Sequence, residues 1–370
     1  MTVLSSTATP TISGTQHVVL LGVGLVHVQA LAQLATKPLA GTVVTLVAPH
    51  PRQLNAGMVP GFMAGHYALD DCAIPLEPLV QRSGIRWVQH SAVGLDVQQQ
   101  TLQLDDGSTL HFDWLSINTD PIQDRDQLEK AIPGVREHAL FARPIEAFAA
   151  LWPRVVEMGS SRALRVAVIG GGSTGIELAL AVRHRLPNAA VTLVSSSTVP
   201  GANYPTNMRQ RLHNVLKMRR VTVIQDLAVG LTANAVQLGC GADLACDVPI
   251  LATGGAQPPA WLAASGLALD DHGFIAVDRY LRSTSHSRVF AMDNVGTCSR
   301  HPLVQNLAAA MAGSPLQPHQ PPIKSLNILS CGDRYAVASW GHFSAQGWWV
   351  WRLKDWMDRR FMARSTQQQG

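Results

Sequence analysis

Two glycine-rich turns constrain this chain more than any other feature. The apolar run His17-Val18-Val19-Leu20-Leu21 ends in Gly22-Val23-Gly24, and Arg165-Val166-Ala167-Val168-Ile169 ends in Gly170-Gly171-Gly172, 148 positions later (Gly22 to Gly170). Helices are predicted from about Leu25 to Thr36 and from about Thr174 to Arg185. Return strands are predicted at 42–47 and 190–194, and both contain the text Val-Thr-Leu-Val. Strand, tight turn, helix and strand within about 30 residues form the unit of a parallel sheet. Two such units so far apart predict an α/β chain with two Rossmann-like domains rather than one long sheet. Its 370 residues suit two or three domains at roughly 100–200 residues each.

Gly170-x-Gly172-x-x-Gly175 is a complete dinucleotide fingerprint. The first glycine permits the tight turn. The second lets a pyrophosphate touch the backbone. The third lets helix and strand pack closely, with phosphate at the positive helix N-terminus. Ser173 also completes the nucleophile-elbow text Gly171-x-Ser173-x-Gly175. One turn cannot serve both geometries, so the serine is read as part of the dinucleotide loop. Gly22-x-Gly24-x-x-His27 is a weaker copy. His27 is either packed within the first turn or a neighbour of phosphate or flavin. The acid that grips a ribose should follow the second strand, but Ala48 and Ser195 hold those places. At Ser195 the missing acid removes repulsion against a 2′-phosphate and tilts the second site toward NADPH, although no arginine stands beside it.

Between the two units, Asp106-Gly107 signals a hairpin. Further strands are predicted at 221–224, 247–252, 325–330 and 335–340, with a helix at 303–312 and a last helix over 348–362. Pro249 is expected near its strand's start, because proline cannot donate to a central ladder. The proline-rich stretch 313–322 reads as an extended linker.

Composition excludes several classes. Only 15% of residues are charged and 46% are hydrophobic, which argues against disorder. A net charge of +4, without basic runs, is not a nucleic-acid footprint. The five cysteines contain no Cys-x-x-Cys pair, and the fourteen histidines show no metal spacing, so no metal is expected. The start carries no signal-peptide pattern and no apolar run is long enough to span a membrane. The expected location is the cytoplasm.

Two nucleotide folds in series, the second ending in Leu251-Ala252-Thr253-Gly254-Gly255, resemble the pyridine nucleotide-disulfide oxidoreductase superfamily. Three further segments are similar to its branch of type II NADH dehydrogenases, and especially to the dehydrogenase-like module joined to selenide,water dikinase. They are Gly57-Met-Val-Pro-Gly-Phe-Met-Ala-Gly-His-Tyr67, Gly332-Asp-Arg-Tyr-Ala-Val-Ala-Ser-Trp340 and Gly347-Trp-Trp-Val-Trp-Arg-Leu-Lys354. The resemblance implies an FAD-binding domain at 17–155, an inserted NAD(P)-binding domain at 156–257, a return to the FAD domain at 258–312, and a C-terminal segment at 323–363 with an amphipathic helix.

The same resemblance implies hydride transfer from NAD(P)H to FAD and then to a quinone or other small acceptor. Gly22, Gly24 and His27 would lie at FAD, with Asn294 near the ribityl chain. Gly170, Gly172, Gly175 and Ser195 would serve NAD(P)H. Gly57, Pro60 and Gly61 would border the substrate pocket. No side-chain acid or base is identified. The family's cysteine pair is absent, so disulfide reduction is not expected. Ile117-Asn118-Thr119-Asp120 stands where the first domain would carry Ala-Thr-Gly, and Asp293-Asn294 where it would carry Gly-Asp. These departures keep a second reading open: a flavoprotein scaffold without flavin redox chemistry that binds a ligand or partner or runs a cofactor-free reaction. For the last helix, Val350, Leu353, Met357 and Phe361 are expected on one stripe. That stripe faces either a membrane surface or protein, the latter including a homodimer mate.

Overall fold

The computed structural model describes residues 14–119, 123–196, 199–253, 258–292, 302–320 and 325–366. The first half is built from β1 (Gln16–Leu21), α1 (Leu25–Thr36), β2 (Thr42–Val47), the short helix α2 (Val59–Met63), β3 (Arg86–Val88) and β4 (Trp114–Ile117). The second half contains β5 (Leu140–Phe141), α3 (Ile145–Ser161), β6 (Arg165–Ile169), α4 (Ser173–Arg185), β7 (Ala190–Ser195), α5 (Thr206–Met218), β8 (Thr222–Gln225) and β9 (Val248–Leu251). The chain then returns through β10 (Val289–Ala291) and α6 (Leu303–Met311). It ends in β11 (Leu326–Ser330), β12 (Ala336–Trp340), β13 (Phe343–Gly347) and α7 (Trp348–Thr366).

Two five-stranded parallel sheets result, ordered β10-β4-β1-β2-β3 and β5-β9-β6-β7-β8. The two are built alike. β1 and β6 are central, and each sheet takes its outermost strand beyond β4 or β9 from elsewhere in the chain. Each also has a three-stranded antiparallel meander, at 92–111 between β3 and β4 and at 228–245 between β8 and β9. The central strands are apolar on both faces, as a doubly covered parallel sheet requires. Val18, Val19 and Leu20 are buried, as are Val166, Ala167 and Val168.

The likeness extends to single hydrogen bonds. Asp113 accepts the amide of His17 at 2.7 Å, and Asp247 accepts that of Arg165 at 2.8 Å. Gly22 N–H donates to Val47 O, and Gly170 N–H to Val194 O, both at 2.8 Å. The return of β10 to the first sheet makes the second domain an insertion in the first, the arrangement that the family resemblance implies.

Some boundaries differ from expectation. β5 belongs to the second sheet although it lies before residue 155, and the predicted boundary falls inside α3 (Ile145–Ser161). Sequence patterning did not suggest α3, since Pro153 stands within it and an interior proline signals a break. Buried Phe148 and Trp152 anchor it. Pro249 sits in β9, between two neighbours, but β5 reaches only as far as Ile250. The last helix presents the expected stripe only in part. Val350 is buried and Phe361 packs against the core of the first half, with Trp351 and Met362 turned the same way, whereas Leu353 is exposed with Trp348, Trp349 and Trp356.

The inward face of α7 is partly polar. Lys354 Nζ donates to Gly57 O at 2.6 Å, and Tyr67 Oη donates to Asp355 Oδ1 at 2.7 Å. Meanwhile the β11 end of the C-terminal sheet meets α4, where Ser330 N–H donates to Glu177 Oε1 at 2.8 Å. The C-terminal segment therefore fastens the first half to the second. Among the described residues, no helix is long and apolar enough to cross a membrane.

Candidate dinucleotide sites

The second turn opens onto a cavity of about 510 Å³ lined by Gly170, Gly171, Gly172, Ser173 and Thr174, with Ser196, Asp226 and Arg143 among the other lining residues. Gly170 has φ +133°, and a Cβ there would meet the backbone of Ala252. Gly175 lies against Gly170 O, so a side chain would force α4 off the sheet. Gly172 differs from both. It is extended, with φ −76°, and its missing Cβ faces open space. These are the three separate duties of the fingerprint: turn, phosphate approach and helix packing. Gly172 is the N-cap of α4 without a side-chain cap, leaving first-turn amides for an anion.

The first turn has the same frame with different contents. Gly22 has φ +80° and lies against the backbone of Asn118, as Gly170 lies against Ala252. At Gly24, however, the missing Cβ faces the Asn118 carboxamide. Asn118 Nδ2 donates to Met292 O at 3.0 Å, and its Oδ1 accepts the long hydrogen bond from His27 N at 3.4 Å. The third glycine is replaced by His27, which is fully buried. Its Nδ1 lies 2.6 Å from Gly22 O and its Nε2 2.8 Å from Ser116 Oγ. A carbonyl can only accept, so Nδ1 carries the proton and Nε2 accepts from the hydroxyl. His27 thus ties α1 to the turn and to β4, the packed role.

FAD is the group that the family resemblance assigns to this turn, and the donors fit it. The Gly22 and Gly24 amides already donate to Val47 O and Asn118 O, so the donors for an anion are the first-turn amides of α1, which has no side-chain cap. Asn118 Oδ1, which accepts from His27 N–H, is the kind of acceptor that a pyrophosphate oxygen would replace. Asn294 lies outside the described residues.

The remaining predicted positions lie elsewhere. Ser195 is buried, with its hydroxyl beneath Gly171, and Ser196 reaches the cavity instead. Gly57 N–H is held by Asn55 Oδ1 at 3.0 Å. Pro60 and Gly61 are buried, and Gly61 lies against the Tyr67 ring. The described contacts of these three are packing and capping contacts. His90, Asp105 and Asp106 gather potential metal ligands on the surface at the Asp106-Gly107 hairpin, where the imidazole already faces both carboxylates.

Glu177 went unnoticed in the sequence, since one acid in an otherwise apolar stretch of helix gives no periodic signal. Burial is the main cause that pushes its carboxyl up to about 7, with Lys354 opposing. Cys72, Cys246 and Cys331 are buried free thiols whose pKa is raised by burial, Cys72 to about 12 and Cys246 to about 11. Such thiols are poor nucleophiles, consistent with the missing redox pair.

Comparison with known proteins agrees with this architecture. Residues 16–312 match the family described as pyridine nucleotide-disulphide oxidoreductase. Human ferroptosis suppressor protein 1 is 24% identical over 295 residues, 72% of this chain and 73% of that protein. The Xenopus tropicalis protein of the same name is 26% identical over 227 residues, so the match covers little more than half of its length, 57%. Among solved structures, the sulfide:quinone oxidoreductase of Aquifex aeolicus superposes with a TM-score of 0.75 at 16% identity, covering 95% of this chain and 92% of that one. The NDH2 of Plasmodium falciparum, solved with NADH, gives 0.71 at 12% identity, covering 95% and 97%. The chain belongs to the pyridine nucleotide-disulphide oxidoreductase family.

Proposed function

We propose that the protein oxidises NAD(P)H at the second turn and passes the electrons, through FAD at the first, to a quinone-like small acceptor at a membrane surface. The observation that carries this reading is the open space beside Gly172 at the uncapped start of α4. In this reading the second sheet with β5 forms the NAD(P)H half, and the first sheet with β10 forms the FAD half. The chemistry a bound FAD supplies is acceptance of hydride and onward release of electrons. The chain's own part is binding and placement. Gly170, Gly172 and Gly175 shape the NAD(P)H cradle, Gly22 and Gly24 shape that of FAD, and His27 fixes the angle at which α1 meets its turn.

The acceptor class draws support from the C-terminal surface. Trp340, Phe343, Trp348, Trp349 and Trp356 are each more than half exposed, with Phe343 at 74%. Arg352 lies over Trp348 and Arg360 over Trp356, at 5.8 and 5.1 Å from the ring centroids. Exposed aromatics beside cations suit an anionic lipid interface, where an apolar quinone would be met. The test is oxidation of NADH or NADPH by purified protein with a short-chain quinone. Quinone-dependent turnover with released FAD in the denatured supernatant supports the reading. Absence of turnover with either nucleotide contradicts it.

A second reading, a scaffold without flavin redox chemistry, is favoured by one observation: the Asn118 carboxamide occupies the face of Gly24. Colourless protein that takes up no added FAD would select it.

A further inference from the structure

The acid that grips an adenosine ribose normally ends the strand after the glycine turn's helix. Here β7 ends in serines, and Ser195 is committed beneath Gly171. The neighbouring strand carries an acid in the adjacent place. Ser195 pairs with Gln225 in parallel register, so Ser196 and Asp226 leave the sheet side by side, about 5 Å apart by strand spacing. Both line the cavity that contains the Gly170–Thr174 turn.

Asp226 is held in place. Its Oδ1 accepts Leu227 N–H at 2.7 Å and its Oδ2 accepts Cys240 N–H at 3.1 Å. A Cys240 side-chain hydrogen bond and these amides hold its carboxyl below the usual range, so it is charged at neutral pH. The two carboxylate oxygens together offer about four acceptor directions; the two amides and the Cys240 side chain take three, which leaves one for a ligand hydroxyl. Cations are placed otherwise. Arg143 is the one cation among the described cavity-lining residues. It follows β5, at the far edge of the sheet ordered β5-β9-β6-β7-β8, four strand spacings or roughly 19 Å from β8. The sequence from Ser195 to Pro205 contains no Lys or Arg.

We propose that Asp226, one strand over from the customary position, selects NADH over NADPH by accepting the ribose 2′-hydroxyl and repelling a 2′-phosphate. This rests on the second turn being the NAD(P)H site, and it reverses the tilt toward NADPH that the serines alone suggest. Among the described cavity-lining residues no arginine stands beside the carboxylate, so the dianionic phosphate of NADPH would meet a fixed negative charge.

The test is equilibrium titration of the full chain with NADH and with NADPH, read by nucleotide fluorescence. NADH should bind at least about tenfold more tightly, a difference of about 1.4 kcal/mol. Asp226→Asn should bring the ratio close to one, mainly by tightening NADPH. Ser196→Arg, which leaves Asp226 in place, should also tighten NADPH and covers the case in which Asp226→Asn folds poorly. Tighter NADPH binding by the native chain, or a ratio that neither variant moves, overturns the proposal while leaving the site assignment intact. Binding of neither nucleotide overturns the site assignment and this proposal with it.

Discussion

The Asn118 carboxamide lies against Gly24, at the place where Gly172 of the second turn faces open space. The two halves share strand order, first-glycine geometry and flanking hydrogen bonds, so this side chain is a local difference on a common frame. At the matching position the second half has Ala252, which is too short to reach Gly172. Asn118→Ala should therefore open the first turn. FAD titration by flavin fluorescence should show tighter binding, while the apo protein loses roughly 1 kcal/mol with the Met292 and His27 hydrogen bonds. Unchanged FAD affinity would show that the carboxamide does not compete with the cofactor.

The second turn allows binding and folding to be separated. Gly172→Ala adds a methyl group into open space at an unstrained φ, so stability should change by less than about 1 kcal/mol. NADH affinity should fall at least about tenfold, since the methyl group occupies the phosphate approach. Gly175→Ala collides with the Gly170 carbonyl and should cost at least about 2 kcal/mol of stability. Denaturant titration and nucleotide binding on both variants check the pair.

Glu177 sets a pH dependence. Its carboxyl rises from an ordinary value of 4.5 to about 7 in the folded chain. The folded state therefore holds a proton that the unfolded chain releases. The stabilisation is complete below pH 4.5 and is lost as pH rises through about 7. Over that window the loss amounts to roughly 3 kcal/mol. Glu177→Gln, which stays neutral and can still accept from Ser330 N–H, should flatten stability between those limits. Urea unfolding across the range would show it, and a slope equal to that of the native chain would remove Glu177 as its source.

Asp247 acts in the opposite direction. It is clasped by the Arg165 side chain and amide and by Arg162, and those partners, the Arg165 side chain first, hold its carboxyl well below the usual range. Its contribution is present at neutral pH and is lost as pH falls below the ordinary carboxylate range. Asp247→Ala should cost about 1–3 kcal/mol at pH 7 and less in acid. Thermal melts at the two pH values measure the difference.

The C-terminal surface makes a prediction for lipid. Trp348→Ala combined with Trp356→Ala removes two exposed indoles and the cation–π partners of Arg352 and Arg360. Sedimentation with anionic vesicles should fall at least about tenfold without a change in melting temperature, because neither indole is buried. Equal sedimentation of variant and native chain would remove this surface from membrane contact.

Much of the frame was legible because its signals are local. A run such as Val-Val-Leu-Leu before Gly-x-Gly can only be a buried strand meeting a turn, and α1, β2 and β6 fall where the pattern puts them. What escaped depends on contacts between distant segments. Pro153 conceals α3, which exists because Phe148 and Trp152 are buried. The inward face of α7 is also set by polar contacts with Gly57 and Tyr67, nearly 300 positions away, so the apolar stripe placed Val350 and Phe361 on the packed side but misplaced Leu353. Asn118 looked like a lost motif residue. Only in space does it meet Gly24. Asp226 carried no motif at all and gains meaning from register with Ser195.

The proposed function turns on hydride passing from a nucleotide held at Gly172 to a flavin held in the other half. Anaerobic addition of NADH to the purified protein tests this directly. The visible flavin band should bleach within mixing and return when a short-chain quinone is added. Protein that carries flavin but keeps its colour with both NADH and NADPH would contradict this transfer.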